Sequence, residues 1–151
     1  MSWNKDKSVL LSQISTRIVM ALGAALAIAL PFLCASGFFE GRAFIAPENI
    51  MFILPAYYGF CVPAYAALFS LDRLLTSVKR EEVFTHRNVR YLRVISWACF
   101  AIALVLLVST LVSITFFALA IIATFFGIIL RVVKNLFAAA VELQDESNYT
   151  I

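Results

Sequence analysis

Long stretches without a charged residue constrain this sequence more than any other feature. Two of them, Ile18 to Phe39 and Ile50 to Leu71, hold 22 residues each. A helix of that length is roughly 33 Å long and crosses a hydrocarbon core of about 30 Å. The chain is 63% hydrophobic and 14% charged, whereas soluble domains average roughly 45–50% and about 25%. Because a water-soluble fold would expose much of that apolar surface, we expect an all-α integral membrane protein.

A third uncharged stretch, Val94 to Leu130, is too long for an ordinary span. As one helix its 37 residues would measure about 55 Å and demand a tilt beyond the usual limit of about 40°. As a hairpin it gives two short spans, with the break at Ser109 to Thr115, where Ser, Thr and β-branched residues weaken a helix. No Gly or Pro marks the turn, so a single helix stays the alternative. We predict one domain, 1–151, a four-helix bundle of two hairpins with spans at about 18–39, 50–71, 92–111 and 114–134.

The basic residues predict the orientation of these spans. With the N-terminus inside, eleven of the twelve Lys and Arg residues are cytoplasmic and only Arg42 lies outside, as the positive-inside bias requires. Both termini, a loop at 72–91 and a tail at 135–151 are then cytoplasmic. The competing interpretation of the first span is a signal peptide cleaved near Ala35-Ser36-Gly37. Its apolar run, however, exceeds the usual length of about 7–15 residues.

The spans lack the residues that carry chemistry. None contains Asp, Glu, Lys, Arg or His at mid-depth, and such residues usually mark ion paths or substrate sites in membranes. The cysteines Cys34, Cys61 and Cys99 lie in different apolar runs, which fits neither a disulfide framework nor a metal or redox pair. We therefore expect no enzymatic activity, no cofactor and no metal site. The net charge of +3 is too small to suggest direct nucleic-acid binding.

Small residues at a spacing of four occur twice in the first span, as Ala21 with Ala25 and Gly23 with Ala27. Small residues let helix backbones approach closely in lipid. These pairs predict tight packing, either within the chain or in a homo-oligomer.

The second span combines Pro55, Gly59 and Pro63 with Tyr57 and Tyr58. Each proline removes a backbone hydrogen bond and tends to kink the helix, and the freed carbonyls need partners. A tyrosine hydroxyl is a candidate donor. The segment is either an ordinary packing kink or a hinge or small polar pocket that senses a signal in the membrane.

Charged residues near the membrane form a basic and an acidic group. Arg87, Arg90 and Arg93 recur every three residues after Thr85, a candidate N-cap of the third helix. The basic stripe fits anionic lipid headgroups or an acidic protein partner. The tail carries three acidic residues, Glu142, Asp145 and Glu146, and no basic residue. It either folds back on the basic loop or serves as a motif for a soluble protein.

The loop and the tail together resemble the domain-of-unknown-function 2975 family of small four-helix bacterial membrane proteins. The resemblance rests on Val78-Lys79-Arg80 before an acidic residue, Phe84-Thr85, Asn88-Val89-Arg90, Leu92-Arg93, and a leucine, acidic residues and Thr150-Ile151 at the end. The sequence departs from the family at Glu81, where glycine is usual, at Val83, where proline is usual, and at Asn148-Tyr149, where Asp-Leu is usual.

The resemblance implies a location and a partner but no activity. It places the protein in the bacterial cytoplasmic (inner) membrane and suggests a small helix-turn-helix transcription regulator as a cytoplasmic partner. Our leading hypothesis is therefore a membrane-embedded regulatory or interaction protein. The alternatives are an accessory subunit of a membrane complex and a small transporter component.

Overall fold

Four helices make up the protein in a computed structural model that describes residues 2–38 and 50–150. They are α1 (Ser2–Ala35), α2 (Ile50–Lys79), α3 (His86–Ser109) and α4 (Thr115–Tyr149). Each is long and apolar enough to cross a membrane, so the prediction of an all-α protein with four membrane-spanning helices is confirmed. Arg42, predicted to be the only basic residue on the far side, lies outside the described residues.

The turn between α3 and α4 is built by hydroxyl side chains. The Ser109 hydroxyl donates to the Val105 carbonyl (2.8 Å) and the Thr110 hydroxyl to the Leu106 carbonyl (3.2 Å). The Ser113 hydroxyl accepts from the amide of Thr115 at 3.4 Å, where α4 begins. Ser and Thr side chains compete in this way with the regular helix ladder. The chain thus reverses within the Ser- and Thr-rich stretch although it has no glycine or proline there.

The helices continue well beyond the predicted spans at one end. α1 begins at Ser2, and α4 runs to Tyr149, so most of the predicted tail 135–151 is helical. The predicted loop 72–91 is also mainly helix, because α2 ends at Lys79 and α3 starts at His86. Lys, Glu, Gln and Ala are good helix formers, and the charge or polarity of Lys, Glu and Gln ends the membrane span without ending the helix.

The helices pack as an open series. Among the described residues α1 approaches α2, α2 approaches α3 and α3 approaches α4, and no other pair of helices comes close. α3 is the centre of the bundle. In its most apolar 18-residue stretch 33% of the residues are buried, against at most 11% in the other helices. Its buried positions include Leu92, Ile95, Ala98 and Ala103. Within the described residues, the outer faces of α1 and α4 thus have no neighbouring helix and are left to lipid or to another protein.

Contacts between neighbouring helices place three arginines at one level. Arg17 of α1 pairs with Asp72 of α2 at 3.2 Å. Gly59 of α2 lies beside Val105 of α3. From this contact the two antiparallel helices run about equally far, 13 residues to Asp72 and 12 residues to Arg93, so Asp72 and Arg93 lie at the same level. The Ser96 hydroxyl donates to the carbonyl of Gly127 at 3.0 Å, which sets Arg131 opposite the start of α3. We call Arg17, Arg93 and Arg131 the arginine belt.

The arginine belt divides the described chain into an apolar part and a charged part. Every charged residue in the described ranges lies at the belt or beyond it, in residues 2–17, 72–93 and 131–150. We call this part the charged end. On the other side of the belt, large apolar side chains such as Phe32, Phe52 and Ile121 are exposed. Such exposure is expected of a surface that faces lipid.

Candidate functional site

The connection between α2 and α3 is organised by Asn88. Its side chain is fully buried, and its Nδ2 group donates to the carbonyls of Glu82 and Val83, each at 2.8 Å. The Thr85 hydroxyl accepts from the amide of Asn88 at 3.4 Å, which confirms Thr85 as the N-cap of α3. The sequence offered Asn88 only as part of the family pattern. Its position three residues after Thr85 indicates a residue of the helix cap, but not the carbonyls that it binds.

Glu81 adopts a left-handed conformation, with φ of 60°. The amide of Glu82 donates to the Ser77 carbonyl at 3.2 Å and the amide of Glu81 to the Val78 carbonyl at 3.1 Å. This pair of bonds is the Schellman motif, in which glycine usually takes the left-handed position. The conformation costs an L-residue about 1–2 kcal/mol. A glycine, which the family resemblance implies at this position, would adopt this conformation without that cost, whereas Glu81 adopts it with strain.

The last turns of α4 pack on this connection. The rings of Phe84 and Phe137 lie 5.4 Å apart, and Val141 is only 3% exposed. His86 Nε2 lies 2.9 Å from a carboxylate oxygen of Asp145. Of the three acidic residues of the tail, Asp145 thus contacts the start of α3. All three lie in the continuous helix α4. Both partners of this pair are well exposed, so the apolar contacts contribute more to the docking of α4.

The basic stripe lies on the exposed side of α3. Arg87, Arg90 and Arg93 are all exposed. Arg87 pairs with Glu82 at 3.3 Å, whereas Arg90 and Arg93 form no ion pair within the described ranges. The stripe and the acidic residues share the charged end, but none of Glu142, Asp145 and Glu146 pairs with an arginine there.

The final turns of α4 present a mixed acidic and apolar face. Glu142, Leu143, Glu146 and Tyr149 fall on one side of the helix, because residues one, four and seven apart lie within a third of a turn. All four are exposed, Leu143 by 67% and Tyr149 by 91%. They lie about 17 to 27 Å along the helix beyond Arg131. We call these four residues the acidic face.

Three tyrosines of α2 clamp α1. The hydroxyl of Tyr57 donates to the Gly23 carbonyl (3.1 Å) and that of Tyr58 to the Ala27 carbonyl (3.0 Å). The hydroxyl of Tyr65 donates to the Met20 carbonyl at 2.7 Å. We call these three bonds the tyrosine clamp. The freed carbonyls expected near Pro55 and Pro63 are not its acceptors.

Pro31 explains one acceptor of the tyrosine clamp. It lies inside α1 and has no amide hydrogen, so the carbonyl four residues earlier, that of Ala27, loses its helical donor. The hydroxyl of Tyr58 takes that place. The freed carbonyl in the first span was not predicted, although Pro31 is a signal for it in the sequence.

The two pairs of small residues in α1 have different surroundings. A Cβ atom at Gly23 would lie 3.1 Å from the hydroxyl oxygen of Tyr65, so the Gly23–Ala27 pair serves packing within the chain. Ala21 and Ala25 are exposed on another side of α1. The clamp thus uses one of the two faces considered for close packing.

The cavity beside Tyr57 is apolar rather than polar. It has a volume of about 340 Å³ and lies between α2, α3 and α4, where Phe52, Phe60, Val105 and Phe116 line it. The tyrosine hydroxyl is directed instead to α1. The choice between a packing kink, a hinge and a polar pocket stays open, and Gly59 and Pro63 lie on α2, the helix that contributes Phe52 and Phe60 to the cavity.

The bond between Tyr58 and Ala27 leads to a prediction with an internal control. Tyr58→Phe should destabilise the α1–α2 pair by about 0.6 kcal/mol, the average for hydrogen bonds between membrane helices, and by no more than about 1.7 kcal/mol. In a Pro31→Ala background the cost should shrink, because residue 31 then donates to the Ala27 carbonyl. Tyr65→Phe should cost the same in both backgrounds, since the Met20 carbonyl does not depend on Pro31. Unfolding in mixed micelles measures all four differences. Equal costs of Tyr58→Phe in both backgrounds would contradict this account.

Comparison with known proteins completes the description of the site. A family model described as a protein of unknown function (DUF2975) matches residues 18–151. Neither the curated proteins nor the solved structures gave a match. Within residues 2–38 and 50–150, no group of three or more His, Cys, Asp or Glu side chains is placed to hold a metal ion.

Proposed function

The chain belongs to the DUF2975 family, and from that premise we propose that it is a non-enzymatic, multi-pass membrane protein that holds a soluble protein at its charged end. The observation that carries the proposal is the acidic face of α4. Leu143 and Tyr149 are exposed there, about 18 to 27 Å along α4 beyond Arg131 and thus outside the uncharged segment that lipid would cover. Exposed apolar side chains between charged ones are typical of protein interaction sites.

The chemistry of the acidic face defines its partner. Two carboxylates, Glu142 and Glu146, one turn apart favour a basic surface, and Leu143 and Tyr149 favour apolar pockets within it. DNA-binding proteins carry basic surfaces of this kind. The family resemblance suggests a small helix-turn-helix regulator, and its capture by the acidic face would compete with DNA phosphates. The positive-inside bias supports a cytoplasmic position of the charged end, in the inner membrane of a bacterium.

Site-directed crosslinking tests this function in cells. A photocrosslinker at position 149 of the full-length chain should capture a soluble DNA-binding protein. The double variant Glu142→Lys/Glu146→Lys should abolish capture, because it reverses the charge of the acidic face. Gln144→Lys is the matched control, since Gln144 is exposed on the opposite side of α4. Capture that survives the double variant, or that yields membrane proteins alone, would refute the proposal.

The open helix series favours a second candidate function. The outer sides of α1 and α4 have no neighbouring helix among the described residues, and Ala21 and Ala25 lie exposed on α1. An accessory subunit of a membrane complex, or a homo-oligomer, would use these sides for lateral contacts. Ala25→Leu should then break a membrane complex while the crosslink from position 149 stays unchanged.

A further inference from the structure

A basic and aromatic cluster lies where α3 and α4 meet the arginine belt. The guanidinium carbon of Arg131 is 5.8 Å from the ring centroid of Trp97, which is 61% exposed. Arg93 precedes Trp97 by one helical turn and therefore lies on the same side of α3. The bond from Ser96 to the Gly127 carbonyl sets Arg93 and Arg131 at the same level. Among the described residues, no carboxylate pairs with either arginine.

A groove in the α3–α4 surface begins directly below this cluster. It has a volume of about 340 Å³, and its lining includes Ala103, Leu107, Phe117, Ile121 and Ile128. Ile128 lies one turn from Arg131 along α4, so the arginine stands at the mouth of the groove. The hydroxyl of Thr124, which also borders the groove, donates to the Ala120 carbonyl at 2.8 Å. The groove is therefore predominantly apolar.

The position of the groove determines what fills it. It lies on the lipid-facing side of the arginine belt, where water is excluded and hydrocarbon is the solvent. Its lining on α4 runs from Phe117 to Ile128, about 16 Å of helix, which suits an extended acyl chain. Two unpaired guanidinium groups at the mouth favour a phosphate without a cationic neighbour. A tryptophan at this depth matches the interfacial level of a headgroup.

We propose that the α3–α4 hairpin binds one anionic phospholipid, with its phosphate between Arg93 and Arg131 beside Trp97 and one acyl chain in the groove. Guanidinium groups suit phosphate because they offer several donors in a planar fork. This site uses neither the acidic face nor a protein partner. The proposal of a lipid site can therefore be refuted without refuting the proposed function, and the reverse also holds.

Thermal unfolding of the purified full-length chain in detergent tests the site. Phosphatidylglycerol should raise the unfolding temperature in a saturable way, whereas phosphatidylcholine should not. Arg93→Gln/Arg131→Gln should weaken the apparent affinity for phosphatidylglycerol about thirtyfold. Arg73→Gln is the matched control, because Arg73 also lies at the belt level and over an aromatic ring, 5.0 Å from the centroid of Phe69 on α2. An equal response to both lipids, or an equal loss in the control, would overturn the proposal.

A second variant separates the acyl chain from the headgroup and does not touch the arginines. Ile121 is 56% exposed in the groove, so Ile121→Trp should fill the groove without disturbing the helix interface. Native mass spectrometry should then show loss of the retained phosphatidylglycerol, while circular dichroism shows unchanged helix content. Full retention in Ile121→Trp would overturn the proposal. So would equal stabilisation of the wild-type chain by soluble glycerol phosphate, because a free phosphate would then suffice.

Discussion

Replacement of Gly127 by leucine should destabilise the protein by about 3 kcal/mol, through separation of α3 from α4. A Cβ atom at Gly127 would lie 3.2 Å from two ring atoms of Phe100 and 3.3 Å from a third. The ring of Phe100 is itself in edge contact with Trp97. Movement of α3 away from α4 would also lengthen the hydrogen bond from the Ser96 hydroxyl to the Gly127 carbonyl. Unfolding in mixed micelles, followed by tryptophan fluorescence, measures the change in the free energy of unfolding.

Two further variants make this prediction specific. Gly59→Leu is the matched control, because a Cβ atom at Gly59 meets only Val105 at 4.0 Å, and we expect a change below about 1 kcal/mol. Phe100→Ala should recover part of the loss when combined with Gly127→Leu, since it removes the obstructing ring. Equal losses for both leucine variants, with no recovery, would show that helix approach at Gly127 does not limit stability.

Asn88→Ala should lower the free energy of unfolding by about 2 to 4 kcal/mol and loosen the charged end. The change removes two donors at 2.8 Å and leaves the carbonyls of Glu82 and Val83 without them. The Oδ1 atom of Asn88 is buried without a partner among the described groups, which keeps the expected loss moderate. Hydrogen exchange of residues 80–90 should rise together with that of the last turns of α4, because the two segments pack on each other.

Asn148→Ala is the matched control for that experiment. Asn148 lies in the exposed end of α4, and its loss should change stability by no more than about 0.5 kcal/mol. If both alanine variants unfold alike, Asn88 does not organise the connection between α2 and α3.

Hydropathy predicted the spans because it measures what lipid requires of a helix. It could not predict how far the helices extend, since Arg73 and Glu142 lie beyond the predicted spans and yet within α2 and α4. It could not predict the open series either. Lipid-facing residues such as Phe32 and helix-facing residues such as Leu92 are equally apolar, so composition does not distinguish a lipid contact from a helix contact.

The polar contacts were predictable only in part. The Ser- and Thr-rich turn and the cap at Thr85 follow from local chemistry, and the sequence pointed to both. The tyrosine clamp depends on the register between α1 and α2, which no local pattern specifies. Tyr58 could be proposed as a donor and Pro31 as the cause of a free carbonyl at Ala27, but only the structure shows that the two groups meet.

The serial order of the helices has a consequence for biogenesis. Each helix finds its neighbour in the segment synthesised just before it, so assembly can follow translation without waiting for a distant partner. The same order makes α1 separable, because its departure breaks no close approach among α2, α3 and α4. A gene divided between α1 and α2 would thus encode two fragments that, within the described residues, contact each other at the α1–α2 interface.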